Sequence, residues 1–486
     1  MMLPAFVVAG YFILLMLVSR LTARKATNDT FYRGERRSPW VAVAFGMLGA
    51  SLSGVTFVSV PGMVATSDMT YMQMCIGFIP GYMLVAFILL PVYYKLGLTS
   101  IYTYLEKRFG PISYRTGASF FLLSKMCGAA VRLYLVCLIL QRLVFDAMGV
   151  PFAASAALML GLIWLYTHRG GIGTIVWTDC LQTIVLLGSL VLMIFAILRA
   201  EGWGIAEAVN NISQSPMSRI FVMDDWFSKQ NFWKQMLSGA FIVVVMTGLD
   251  QDMMQKNLTC RTLHESQKNM ITNGMLYVPV NLLFLSLGVL MFMYAANHGI
   301  EVPQRTDEVL PFLCVGGYLG QMTLVLFALG IAAAAFSSAD SALTALTTSV
   351  CIDLLHRPSD EKLRRRMHLA VTIVLLVFIL LFRALNSTSV IDAVYIIASY
   401  TYGPLLGLFA FGLLFHSRRP LEKAVPWICL SAPLICFALS VCFAAWLDYH
   451  FGYELLMLNG ILVMIGLFVF QDKSFGKEGG SIAFSL

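Results

Sequence analysis

Apolar runs alternate along the chain with short segments rich in Arg, Lys, Gly and Pro. About thirteen runs approach the ~20 residues that an α-helix needs to cross a hydrocarbon core. The pattern predicts a leader helix at about 3–21, then helices one to ten at about 41–65, 71–94, 117–145, 151–167, 171–199, 233–255, 270–297, 319–352, 367–384 and 390–415. Helices eleven and twelve follow at about 424–446 and 452–471. The polar stretch 200–232, with Trp203, Pro216 and Trp226, reads as an extracellular cap. It separates two sets of five helices, residues 41–199 and 233–415. Because five is odd, the second set enters the membrane from the opposite side, which is the inverted-repeat layout of secondary transporters. Residues 1–40 hold the leader helix and a first inner loop, and 416–486 hold two additional helices and a short tail.

Composition agrees with a polytopic all-α membrane protein. Hydrophobic residues make up 59% of the chain, charged residues 12%, and mean hydropathy is +0.79. A soluble protein carries about 25% charged residues, so a water-soluble enzyme and a disordered chain are both excluded. The net charge of +7 does not indicate nucleic acid, because the basic residues cluster between spans, as at Arg33, Arg36 and Arg37 and again at Arg364, Arg365 and Arg366. The opposite set of loops carries only Arg142, Arg199, Arg219, Lys229, Lys234, Arg305 and Arg383. By the positive-inside rule the N-terminus is outside and the C-terminus cytoplasmic, in a multi-pass protein of the cell inner membrane. Met1–Leu21 lacks a basic start and a cleavage site, so it reads as a retained span. The ten cysteines form no C-x-x-C pair and the seven histidines are dispersed, so neither a disulfide framework nor a metal cluster is expected. No G-x-x-x-x-G-K-[ST] loop is present, which argues against a transporter driven directly by ATP. No nucleophile–base set points to an enzyme.

Two spans carry chemistry. Helix one holds Gly46, Gly49, Ser51, Ser53, Gly54, Thr56, Ser59, Pro61 and Gly62. Small residues permit close helix approach, but hydroxyls beside glycines at mid-span also suit an unwound ligand site. In helix eight, Ser337, Asp340, Ser341 and Thr344 follow i, i+3, i+4, i+7 spacing and form one polar stripe. Such oxygens suit a hard cation. Hydroxyls bonding back to i−4 carbonyls would explain the Ser and Thr residues but not Asp340, and a carboxylate at membrane depth is a functional candidate. Asp179 in helix five and Arg132 in helix three are further buried charges, and Lys125 sits two turns before Arg132 on the same face. Arg132 serves either as a structural counter-ion for Asp179 or Asp340 or as a ligand for an anionic substrate.

These residues give the chain a resemblance to the sodium:solute symporter family. The motifs are Tyr104-Leu105-Glu106-Lys107-Arg108-Phe109-Gly110, Gly170-Gly171, Trp177-Thr178-Asp179, Asp250-Gln251 with Gln255, and Ser337-Ser338. The resemblance covers nearly the whole length and implies a leucine-transporter-like inverted five-helix repeat working by alternating access, with Na+ as the coupling ion. It implies a sodium site made of the carbonyls of Gly49 and Leu52 with Ala334, Ser337 and Ser338; Gly49 stands where the family usually has alanine. Around the site the chain is similar to bacterial sialic acid symporters, through Leu52-Ser53-Gly54-Val55-Thr56-Phe57 and the arginine in helix three. That similarity implies that Arg132, Ser53 and Thr56 hold a substrate carboxylate and that Gln73 touches substrate. Asp340 departs from the serine usual in those relatives. A second cation, sodium or a proton, is expected between Asp179, Asp340 and Ser341, the alternative being structural pairing of Asp340 with Lys125 or Arg132.

The leading expectation is therefore a sodium-coupled symporter that imports a small organic acid, a sialic acid being the first candidate. Sodium-coupled uptake of a neutral sugar or polyol, and a transporter-like sensor, are the alternatives.

Overall fold

The computed structural model describes residues 2–23, 26–385 and 390–472. Their regular structure is helical, apart from two isolated bridge pairs. Arg24, Lys25 and the basic residues of the tail lie outside the described residues.

Eight helices are long and apolar enough to cross a membrane, and three bent pairs bring the number to 11 if each pair is one span. The bent pairs are helix one (Trp40–Ser51 and Gly54–Ser67, 57°), helix six (Phe232–Gly248 and Gln251–Asn257, 70°) and helix ten (Ala393–Thr401 and Gly403–Leu414, 45°). The apolar helices Phe152–Thr167 and Leu455–Val469 occupy the places expected for helices four and twelve. At ~1.5 Å per residue they are ~24 and ~22 Å long, short of a ~30 Å hydrocarbon core, so length alone does not establish the expected thirteen spans. Helices three and seven start earlier than hydropathy suggested, at Pro111 and Leu263. Proline at the first helical position opens the one, and Thr262 accepts from the Glu265 N–H to cap the other.

The break in helix one falls where its glycines and hydroxyls cluster. The Leu52 N–H still closes on the Leu48 carbonyl at 3.0 Å, and the Phe57 N–H closes on Ser53 at 3.1 Å. Between them Leu52 and Ser53 leave helical geometry (φ −84°, ψ 83° and φ −75°, ψ 171°). Among the described residues no backbone N–H bonds to the carbonyls of Gly49 or Leu52. The matching break in helix six was not anticipated. A π-turn at Val244–Gly248 runs into Leu249, and Asp250 then caps the second half by accepting from the Asp252 N–H at 2.8 Å. The first helix of each five-helix set is thus broken.

Helix five (Ile172–Glu201) packs between helix one and helix eight (Gly320–Leu354). The approach is close enough that a Cβ on Gly49 would lie 1.9 Å from Thr183 Oγ1. Residues 205–214 form a short helix within the stretch expected to be a cap.

Candidate substrate and cation site

The bend of helix one, helix three, helix six, helix eight and the first half of helix ten enclose a cavity of about 90 Å³. Of the residues implied for substrate, Ser53, Thr56 and Arg132 line it. Lys125 and Arg132, seven residues apart on helix three, also project onto it. Their environments differ. Lys125 Nζ lies 3.1 Å from Asp250 Oδ2 and 2.6 Å from Asp252 Oδ2, and the Tyr402 hydroxyl donates to Asp250 Oδ2 at 2.6 Å. Half-buried Arg132 makes no ion pair or hydrogen bond among the described residues, and Asp252 lies within its electrostatic reach.

Gln73 is not in this cavity. Its Nε2 donates to the Gln230 carbonyl at 2.8 Å and to Thr70 at 3.3 Å, and its Oε1 accepts from the Val222 N–H at 3.0 Å. These three bonds tie the amide to Thr70, Gln230 and Val222, so that it joins the loop before helix six to helix two.

The polar stripe of helix eight splits between two neighbours. Ser337 Oγ donates to Asp179 Oδ1 at 2.6 Å. With its amide turned to donate, Gln182 reaches the same oxygen at 2.9 Å. Asp340 instead accepts from the Tyr166 hydroxyl of helix four at 2.8 Å, and Ser341 Oγ donates to its other oxygen at 3.1 Å. Ser338 Oγ lines the cavity side and is buried with no hydrogen-bond partner in the described structure. Thr347 and Thr348 do bond back to the i−4 carbonyls, whereas Ser337 and Ser341 do not. Ala334 sits one turn before Ser338, fully buried.

A group absent from the expected site stands at its centre. Lys256, 1% exposed, places Nζ 2.7 Å from Asp179 Oδ2 and 4.0 Å from Asp252 Oδ1. Hydropathy ends helix six near residue 255 and assigns Lys256 to a cytoplasmic loop, but the broken second half carries it into the core. Asp179 therefore faces a lysine that the expected site, a cation between it and Asp340, did not include. The run Asp250-Gln251-Asp252 followed by Lys256 at i, i+4 was the available signal. Asp252 and Lys256 were missed because charges next to a span end are ordinarily solvated.

Two broken helices around a central cavity, with buried carboxylates at the break, form the geometry of an ion-coupled carrier. Residues 31–420 match the model of the sodium:solute symporter family. The chain belongs to that family. It is therefore a membrane transporter rather than an enzyme, with Na+ as its coupling ion. Among curated relatives it is 27% identical over 450 residues to the sodium/sialic acid symporter SiaT of Proteus mirabilis, covering 87% of each chain. It is 28% identical over 419 residues to the sodium/sialic acid symporter NanT of Aliivibrio fischeri, covering 80% of this chain and 78% of the relative. In fold, it superposes on a solved Na+-coupled sialic acid symporter in a substrate-bound outward-open state, with TM-score 0.81 at 24% identity, over 96% of this chain and 97% of that one. The all-α, leucine-transporter-like fold of this symporter family member is thereby shown.

Proposed function

We propose that the chain imports a sialic acid or a closely related sugar carboxylate together with sodium, across the cell inner membrane, with its N-terminus outside. The two five-helix sets, 41–199 and 233–415, act as the repeats that rock about the central cavity. Sodium binds between the Gly49 and Leu52 carbonyls of the break, the Ala334 carbonyl and the hydroxyls of Ser337 and Ser338. Asp179 supports this by accepting the Ser337 proton, which leaves the serine lone pairs for the ion. The substrate carboxylate docks on Arg132, with Ser53 and Thr56 as hydroxyl donors.

One observation carries the substrate assignment: Arg132 lines the cavity without a hydrogen-bonded partner, while Lys125 and Lys256 are both ion-paired. An arginine in a span costs ~3 kcal/mol or more by insertion scales, so a partner is required. A planar carboxylate fits its fork in two parallel bonds. The alternative is a neutral sugar, with Asp252 balancing Arg132 at a distance.

The test is sodium-dependent uptake of radiolabelled N-acetylneuraminate into proteoliposomes, with glucose and polyols as competitors. Arg132→Lys should lower binding by roughly tens-fold, as expected for a charge-assisted bond of ~1.5–3 kcal/mol. Sodium-dependent glucose uptake that survives Arg132→Ala would refute the carboxylate assignment.

A further inference from the structure

Asp179, Asp252 and Asp340 are buried carboxylates, and Lys256 is ion-paired with the first two. Its ammonium is 2.7 Å from Asp179 and 4.0 Å from Asp252. The half-helix that bears Lys256 is held on several sides. Asp250 is fixed by Lys125 and Tyr402, Gln251 bonds Ile101 and Thr99, and Gln255 bonds the Tyr32 carbonyl and Thr348. The lysine is thus a cation on an anchored tether and cannot leave with cargo.

We propose that the Lys256 ammonium is a resident cation occupying the place of a second transported one, so that the chain binds a single sodium ion per cycle. This inference deepens the proposed sodium site, because Asp179 joins Lys256 to Ser337: one carboxylate oxygen takes the ammonium and the other takes the Ser337 proton. An ammonium on Asp179 satisfies it without a mobile ion. Without that ammonium, the Asp179 carboxylate is left unbalanced, and its hard oxygens are of the kind that suits a small cation.

Counting radiolabelled sodium bound to the purified full-length chain tests this without any organic substrate. Wild type should bind one ion, Lys256→Gln two, and Lys256→Gln/Asp179→Asn one again. Two ions on wild type would overturn the inference, even if Lys256→Gln failed to fold. A single ion on well-folded Lys256→Gln would do the same. Failure of N-acetylneuraminate uptake would bear only on the substrate assignment, because the sodium count does not depend on it.

Discussion

Gly49 offers a direct test of how tightly helix one is seated on helix five. A Cβ added there would lie 1.9 Å from Thr183 Oγ1, 2.9 Å from Thr183 Cβ and 3.2 Å from its Cα. Rotating the hydroxyl away relieves only the first contact, and it breaks bonds to the Phe45 carbonyl at 3.1 Å and the Asp179 carbonyl at 2.7 Å. The other two contacts require the helices to part by several tenths of an ångström. Overpacking of this kind costs about 1–3 kcal/mol, and the lost inter-helix bond adds about 1 kcal/mol. Alanine returns at most about 1 kcal/mol through its helix propensity. Gly49→Ala should therefore destabilise by about 1–3 kcal/mol and, by moving the Gly49 carbonyl, raise the sodium concentration for half-maximal uptake. Thr183→Ala alone should cost about 1 kcal/mol. In the double variant the hydroxyl contact is gone but those to Cβ and Cα of residue 183 remain, so melting temperature and sodium dependence should recover only part of the loss. The coupling expected from the cycle is about 1 kcal/mol, the Thr183 bond otherwise counted in both single variants. Thermal unfolding in detergent and sodium-activation curves measure it. Additive losses, with the double variant no better than Gly49→Ala, would show that the two helices are not in contact as described.

Other outcomes are specific to single residues. Ser338→Ala removes an unpaired buried hydroxyl and should raise the sodium requirement about fivefold, the equivalent of ~1 kcal/mol for one lost oxygen; unchanged activation curves would remove Ser338 from the site. Gln73→Ala should increase amide exchange at Val222 and around Gln230, which an exchange experiment reads directly, while competition by substrate analogues keeps its ranking; a changed ranking would put Gln73 back in the cavity. Arg108 holds the end of helix ten through the carbonyls of Gly412, Phe415, His416 and Arg418. Arg108→Lys loses the fork geometry and should lower stability by about 1.5–3 kcal/mol, the range for bonds to a charged group, with sodium dependence unaltered; equal melting temperatures would contradict it.

Much of the fold was legible because a bilayer imposes one length on every span. Runs read from hydropathy coincide with the observed helices to within a few residues where both ends meet water, as for helix five at 171–199 against Ile172–Glu201. Hydropathy could not register what lies outside the hydrocarbon, such as the first turns of helices three and seven, because those residues are governed by caps. Nor could it register a bend. Helix one betrayed its break by a cluster of glycines and hydroxyls, but helix six breaks on little more than Gly248 and a capping Asp250, a pattern that elsewhere simply starts a helix.

The site was legible to the extent that its residues lie on one helix. Ser53 and Thr56 share a segment, and Lys125 and Arg132 share a face, and the cavity does receive these four. Gln73 and Lys256 fall outside that logic, since each is claimed by a partner far along the chain: Val222 for one, Asp179 for the other. Even the stripe on helix eight carries less information than its spacing suggests. Three residues advance an α-helix by about 300°, so Ser337 and Asp340 point ~60° apart. On an isolated helix they share a face. Between two close-packed helices that angle is enough to hand one to Asp179 on helix five and the other to Tyr166 on helix four. Asp179 and Asp340 are therefore not obliged to share one mobile ion, and the lysine brought in by the broken helix six satisfies the first of them from the far side.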